Sequence, residues 1–247
     1  MTTDQSPART ELRARVYKLL SDCYQSPDAE FPERMRELSG LLNTLHPDIR
    51  LEVPENETIP DDAEAGTFLE QLKVEHARLF IGPFSLPVPP YGSMYLDEEE
   101  HLMAESTQDV HRWYLSEGIE TAMKEMPDHI CVELEFLYLL AYREQKAQEK
   151  AVRSNAAGHV DDTGRPDAAG RANVAAPTGA ANPSTYRDKQ RRFLEQHPGR
   201  WIPAFEKKVR EHAGEAHALS ALYRDLAAAT HRFIAADLEE LRRDASG

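Results

Sequence analysis

Apolar residues recur along this chain at helical spacing, and nowhere do they alternate at the period of two that a half-buried strand requires. Leu12, Val16, Leu19, Leu20 and Cys23 form one stripe of about four turns, and Met35, Leu38, Leu42 and Leu45 form a second behind Pro32. A third comprises Phe68, Leu69, Leu72, His76, Leu79 and Phe80; Gly82 and Pro83 stop it, glycine by accepting a left-handed cap and proline by refusing to continue a helix. Asp97 is placed to cap a fourth helix, with Glu98 and Glu99 in its first turn, Glu100 as the reciprocal capping residue and Gly118 at its end. Phe193, Leu194, Trp201, Phe205 and Val209 mark two further helices broken near His197-Pro198-Gly199. Leu219, Leu222, Tyr223, Leu226, Phe233, Ile234, Leu238 and Leu241 mark a long last one.

Behind Pro127 and Asp128 the pattern changes, because Ile130, Val132, Leu134, Phe136, Leu137, Tyr138, Leu139 and Leu140 cover almost a whole helical circumference. A helix apolar all round belongs in the middle, so residues of about 129–146 are expected to be the central buried helix. The stretch Glu149–Pro183 carries three valines and no Leu, Ile, Met or aromatic residue. It reads as a flexible insertion, and such insertions are inexpensive, since each doubling of loop length adds only about 0.6 kcal/mol. The expectation is an all-α bundle, one domain over residues 8–246 interrupted at 149–183. The Pro- and acid-rich segment 46–65 reads as a loop.

Charge narrows the partners. The 247 residues hold 29 Lys and Arg against 43 Asp and Glu, a formal charge of -14 without segregated basic patches, which argues against nucleic acid. No run of 18 apolar residues occurs, and the N-terminal residues lack a basic segment followed by an apolar one. The reading is a cytoplasmic protein with no membrane insertion. Cys23 and Cys131 form no CxxC or metal-type cluster and read as buried thiols rather than a disulfide.

The segment from Pro83 to Tyr95 is the least ordinary in the chain. Pro83, Pro87, Pro89 and Pro90 forbid a helix or an interior strand, while Tyr91 and Tyr95 offer flat apolar faces with polar tips. Such a loop is either a rigid connection packed over the bundle or a preformed groove wall for a peptide. Asp128 and His129 stand at what the sequence presents as an exposed helix mouth. His129 and Glu133 are four apart, the spacing of metal ligands on a helix, but no second pair stands nearby and no metal site is assigned. Glu133 and Glu135 point to nearly opposite faces and are not a shared-proton pair. No GxSxG, GxxxxGK[ST], GxGxxG or HExxH motif occurs, and a small metal-dependent hydrolase using His129 is the remote reading.

Four segments, in this order, resemble the TorD/DmsD family of redox-enzyme maturation chaperones. They are Glu75–Pro83, Pro-Pro-Tyr-x-Ser-x-Tyr at 89–95, Pro-Asp-His-Ile-x-Val-Glu-Leu-Glu-Phe at 127–136, and Phe-Leu-x-x-His-x-x-x-Trp-x-Pro-x-Phe at 193–205. The likeness spans roughly residues 10–240 apart from the insertion. It implies binding rather than catalysis, with no cofactor. The partner would be a molybdopterin-containing oxidoreductase catalytic subunit and its twin-arginine leader peptide, held during cofactor insertion so that export is delayed. A nitrate-reductase-type chaperone of a cytoplasmically retained enzyme is the neighbouring alternative. By the same likeness Leu79, Phe80, Gly82, Pro83, Pro89, Pro90, Tyr91, Ser93, Tyr95, Asp128, His129 and Glu133 would line the peptide site. Asp97, Glu98, Glu99 and Glu100 would steer a cationic ligand toward it. Trp201 and Phe205 would pack from the C-terminal side. The stretch 149–183 is longer than the family's usual hinge, which leaves a monomer or a dimer that swaps its C-terminal helices.

Overall fold

A computed structural model describes residues 6–53, 67–82, 86–97, 104–119, 126–157, 182–213 and 218–245. Among them every regular element is a helix, with no strand beyond one isolated backbone bridge. Helix α1, Pro7–Cys23, starts on Ser6, whose hydroxyl accepts from the Arg9 N–H, with proline at the first position where its missing N–H costs nothing. Helix α2, Phe31–Leu45, turns Met35, Leu38 and Leu42 inward. Helix α3, Phe68–Phe80, opens on a capping box in which Thr67 and Glu70 satisfy each other's backbone. Gly82, at φ 52, closes α3 by donating its N–H to the Ala77 carbonyl at 2.7 Å.

The fourth element departs from expectation. A four-residue helix α4, Ser93–Leu96, ends at Asp97, and the next described helix, α5, Glu105–Ser116, begins eight residues after Asp97. Asp97 does serve a helix start, but that of α5: its carboxylate accepts from the Ser106 N–H at 3.4 Å and from the Ser106 hydroxyl. Glu98, Glu99 and Glu100 lie outside the described residues. Gly118, at φ 71, follows α5 as its pattern required.

Helix α6, Ile130–Ala157, is the central element, packed by α1 on one side and by α7, Pro183–Gln196, on another. It outruns the expected 129–146, and residues 149–157 of the stretch read as an insertion are its last turns. Ion pairs one turn apart, Lys146 to Glu149 at 3.1 Å and Arg153 to Glu149 at 4.0 Å, support an exposed helix that buries little. The rest of the insertion, 158–181, lies outside the described residues. Helix α8, Pro198–His212, follows α7 after the break at His197, and α9, Ala218–Ala245, packs on α7 and α8. The break needs Gly199, because a Cβ there would sit 2.5 Å from the Leu194 carbonyl oxygen. Trp201, Tyr17, Tyr114, Tyr223, Phe31, Phe193, Phe205 and Phe233 are the largest fully buried side chains.

One core feature has no counterpart in the apolar stripes. Arg13 of α1 is buried and donates from Nε and Nη2 to Asp237 of α9, from Nη2 to Gln190 of α7 at 2.9 Å, and from Nη1 to Glu144 of α6 at 3.4 Å. The Tyr17 hydroxyl donates to Asp237 at 2.6 Å. Burial pulls the Arg13 pKa down, but Asp237 and Glu144 more than reverse this and leave it raised. Burial likewise pushes Asp237 up, and Arg13 and Tyr17 return it below its usual range. Four helices therefore meet on one compensated polar cluster.

Candidate functional site

Residues 86–97 form a strap that leaves α3 and lies across the start of α6. Val88 is fully buried and donates its N–H to the Leu79 carbonyl at 3.1 Å. The Pro90 carbonyl accepts from the Ile130 N–H at 2.8 Å, Tyr91 and His129 form the isolated antiparallel bridge, and the Gly92 N–H reaches the Asp128 carbonyl at 2.9 Å. Proline carbonyls are free to accept where proline nitrogens cannot donate, so a proline-rich segment can be sewn to helix ends without forming a sheet. The Tyr95 hydroxyl then donates to the Pro89 carbonyl at 2.8 Å, tying the strap to itself.

Asp128 is fully buried, which corrects the expected exposed helix mouth. Its Oδ2 accepts from the Ser93 N–H at 2.9 Å, one of the first N–H groups of α4. The cap of α6 falls instead to His129, whose Nδ1 accepts from the Cys131 N–H at 3.2 Å. This geometry places the imidazole proton on Nε2. Burial pushes the His129 pKa down to about 4, so the ring is neutral at ordinary pH. Glu133 does not face His129: its Oε2 accepts from the Trp201 indole N–H of α8 at 2.9 Å. Burial, reinforced by Asp128, raises the Glu133 pKa well above the carboxylate range, and the indole only partly offsets it. Glu135 is half-buried and lies 3.6 Å from Lys18.

The strap and α8 meet at Gly92. A Cβ at that position would lie 3.0 Å from the Trp201 indole nitrogen and 3.3 Å from Glu133 Oε1, so glycine is the residue that lets the strap seat. Gly92→Ala is expected to lower the unfolding free energy by about 1–3 kcal/mol through overpacking. Urea denaturation checks this, and an unchanged midpoint would show that the strap shifts aside freely.

The residues assigned from the sequence are thus brought together, but mostly from beneath. Leu79, Phe80, Pro89, Pro90, Ser93, Asp128 and Glu133 are buried. Gly82, Tyr91, Tyr95, Asp97 and His129 are half-buried and reach the surface, and Pro83 lies outside the described residues. Missed by the sequence reading was the tie between Trp201 and Glu133. An indole needs a partner for its N–H when buried, and a carboxylic acid inside an apolar helix needs one too, which was the available signal.

The fold and this junction define a helical protein that presents a loop-on-helix surface. The chain matches the family model described as nitrate reductase delta subunit over residues 28–165, more than half of its length, and belongs to that family. A stretch of 62 residues is 44% identical to the Tat proofreading chaperone DmsD of Salmonella typhi, and equally to those of Salmonella paratyphi A and Salmonella typhimurium. That match covers 24% of this chain and only 30% of each relative. The crystal structure described as a redox enzyme maturation protein from Archaeoglobus fulgidus is 20% identical, with a TM-score of 0.46 over 90% of this chain and 93% of that one.

Proposed function

We propose that this protein is a cytoplasmic chaperone, not an enzyme, that binds the twin-arginine leader and apo-form of a molybdopterin oxidoreductase subunit, assists cofactor insertion and delays export. Membership of the nitrate reductase delta subunit family, with local identity to Tat proofreading chaperones, supports the class of activity. The single observation that carries the site is the strap of 86–97 sewn to the start of α6, which puts Tyr91, Tyr95 and His129 at the surface above the buried Asp128 and Glu133. A leader of this kind supplies two guanidinium groups followed by an apolar stretch. A formal charge of -14 favours the first, and the aromatic surface at Tyr91 and Tyr95 favours the second. Asp97 to Glu100 are proposed to steer the encounter. Residues 8–246 act as one domain, as a monomer or as a dimer exchanging its C-terminal helices, which light scattering distinguishes.

The test is calorimetric titration with synthetic twin-arginine leaders encoded by the host, each paired with a control carrying two lysines. Binding of one leader at micromolar or tighter affinity, lost in its control, is the expected result. Absence of binding to every leader would overturn leader recognition. The description of the family model as nitrate reductase delta subunit supports a second reading, a nitrate-reductase-type assembly chaperone, whose client we propose would be retained in the cytoplasm. Undiminished capture of a leaderless catalytic subunit would select it.

A further inference from the structure

Beneath the strap lies a shelf of aromatic rings that the protein itself covers. Trp201 and Phe205 of α8 are fully buried, Phe80 of α3 nearly so, and they are contiguous: Trp201 to Phe205 at 5.7 Å between centroids, Phe80 stacked on Phe205 at 6.0 Å. One face of Trp201 is covered by Tyr95, stacked on it at 5.5 Å with 19° between planes and edge-on to Phe205 at 6.4 Å. The outer face of Tyr95 is half-buried and lies under the Lys208 ammonium at 5.1 Å. Tyr95 is therefore a surface ring occupying an apolar seat.

The seat beside it is not fully satisfied. Ser93 Oγ, Asp128 Oδ1 and Glu133 Oε1 are all buried and lack a hydrogen-bond partner among the described residues. They gather at one seam: Ser93 N–H is on Asp128, and Glu133 Oε1 is the atom a Cβ on Gly92 would approach. Buried polar atoms without partners penalise the closed state and regain water when it opens. Opposing them are the main-chain bonds from Val88, Gly92, Ser93 and Ile130, the Tyr91–His129 bridge and ring contact, and the Tyr95 ring stack. A short strap lying over orphaned oxygens is suited to open locally while the rest of α6 stays packed.

We propose that Trp201 and Phe205, backed by Phe80, are the binding shelf for an apolar side chain of the bound peptide, and that Tyr95 is an intramolecular placeholder on it which the ligand displaces. This rests on the peptide-binding reading above and names the subsite for the apolar stretch following the arginines. Displacement exchanges one ring stack for another, so the placeholder lowers affinity and rejects peptides whose corresponding position is polar.

Two measurements on the full chain test it separately from leader recognition. In a Trp113→Phe background Trp201 is the remaining tryptophan, and Tyr95→Ala is expected to make its emission quenchable by acrylamide without any peptide present. Unchanged quenching would show that Tyr95 does not cover the shelf and would overturn the proposal, whatever the leader does. In titration with the leader that wild type binds, Tyr95→Ala is expected to bind on the order of tenfold tighter, the value of one stacked aromatic pair. Weaker binding would make Tyr95 a direct contact, and equal binding would place the peptide elsewhere; either result overturns the placeholder. Should the alanine variant fail to fold, Tyr95→Phe keeps the stack and removes the tie to Pro89, and a smaller gain in the same direction is expected. No gain or a loss there overturns it as well. Wild-type failure to bind any leader would count against the function, while the quenching result would still decide whether the shelf is capped.

Discussion

Arg13→Met is expected to lower the unfolding free energy by about 3–5 kcal/mol at neutral pH, measured by urea denaturation followed by circular dichroism. The loss does not come from the ion pair's own worth, because burying two charges roughly cancels what their attraction returns. It comes from stranding Asp237, fully buried and left with the Tyr17 hydroxyl alone, whereas Glu144 keeps Arg187 at 2.7 Å. Methionine keeps much of the volume, so packing is a minor part of the change. A pH series separates the causes. In the wild type the Asp237 pKa is held below its usual range, so its contribution is present above the unfolded carboxylate value and is lost as pH falls through the folded one. In the variant the unpaired carboxyl tends to keep its proton, so the gap from wild type should widen as pH rises from acid to neutral. A gap independent of pH would assign the effect to packing. Adding Asp237→Leu to the variant should recover part of the loss, since an apolar pair strands no charge on α9.

Glu133→Gln is expected to act in the opposite direction. The folded protein holds the Glu133 proton far above the unfolded value because burial opposes the charge. Below the unfolded pKa both states are protonated and the group contributes nothing. Above it the unfolded chain releases the proton first, and the folded state loses up to about 1.4 kcal/mol per pH unit until its own pKa is reached. Glutamine cannot titrate and still offers an oxygen to the Trp201 indole. The variant should therefore match wild type near pH 4 and become progressively more stable toward pH 8. Stability curves that run parallel over this range would show that Glu133 is charged in the fold. A cost in leader affinity alongside the gain would indicate that the acid is retained for binding.

The helices were legible because their signals are local. Apolar spacing located α1, α2, α3 and α9, and Gly82 and Gly118 marked the stops, since a left-handed residue follows each helix end. The motifs at 89–95 and 127–136 also designated segments that the fold joins. What stayed hidden depends on partners distant in sequence. Asp128 reads as an exposed first-turn acid until the Ser93 N–H is brought over it, and His129 then takes the cap. Asp97 has capping chemistry in either case, but which helix it serves was decided eight residues downstream. Arg13 carried a signal that a purely apolar search discards: with Val16, Tyr17 and Leu20 it completes an i, i+3, i+4, i+7 face, and a polar residue on such a face calls for a buried counter-charge.

The cluster around Arg13 also sets an order of events during synthesis. Its principal acceptor, Asp237, is 224 residues further along the chain. At roughly 5–20 residues per second that separation corresponds to about 10–45 s of translation. Until α9 emerges, the inward face of α1 carries a cation without its principal counter-charge, and closing it onto α6 and α7 would desolvate that charge against Glu144 at 3.4 Å and the neutral Gln190 amide. The bundle thus postpones the closure of α1 until α9 has left the ribosome, and a nascent protein truncated before Asp237 should remain open to proteases along α1.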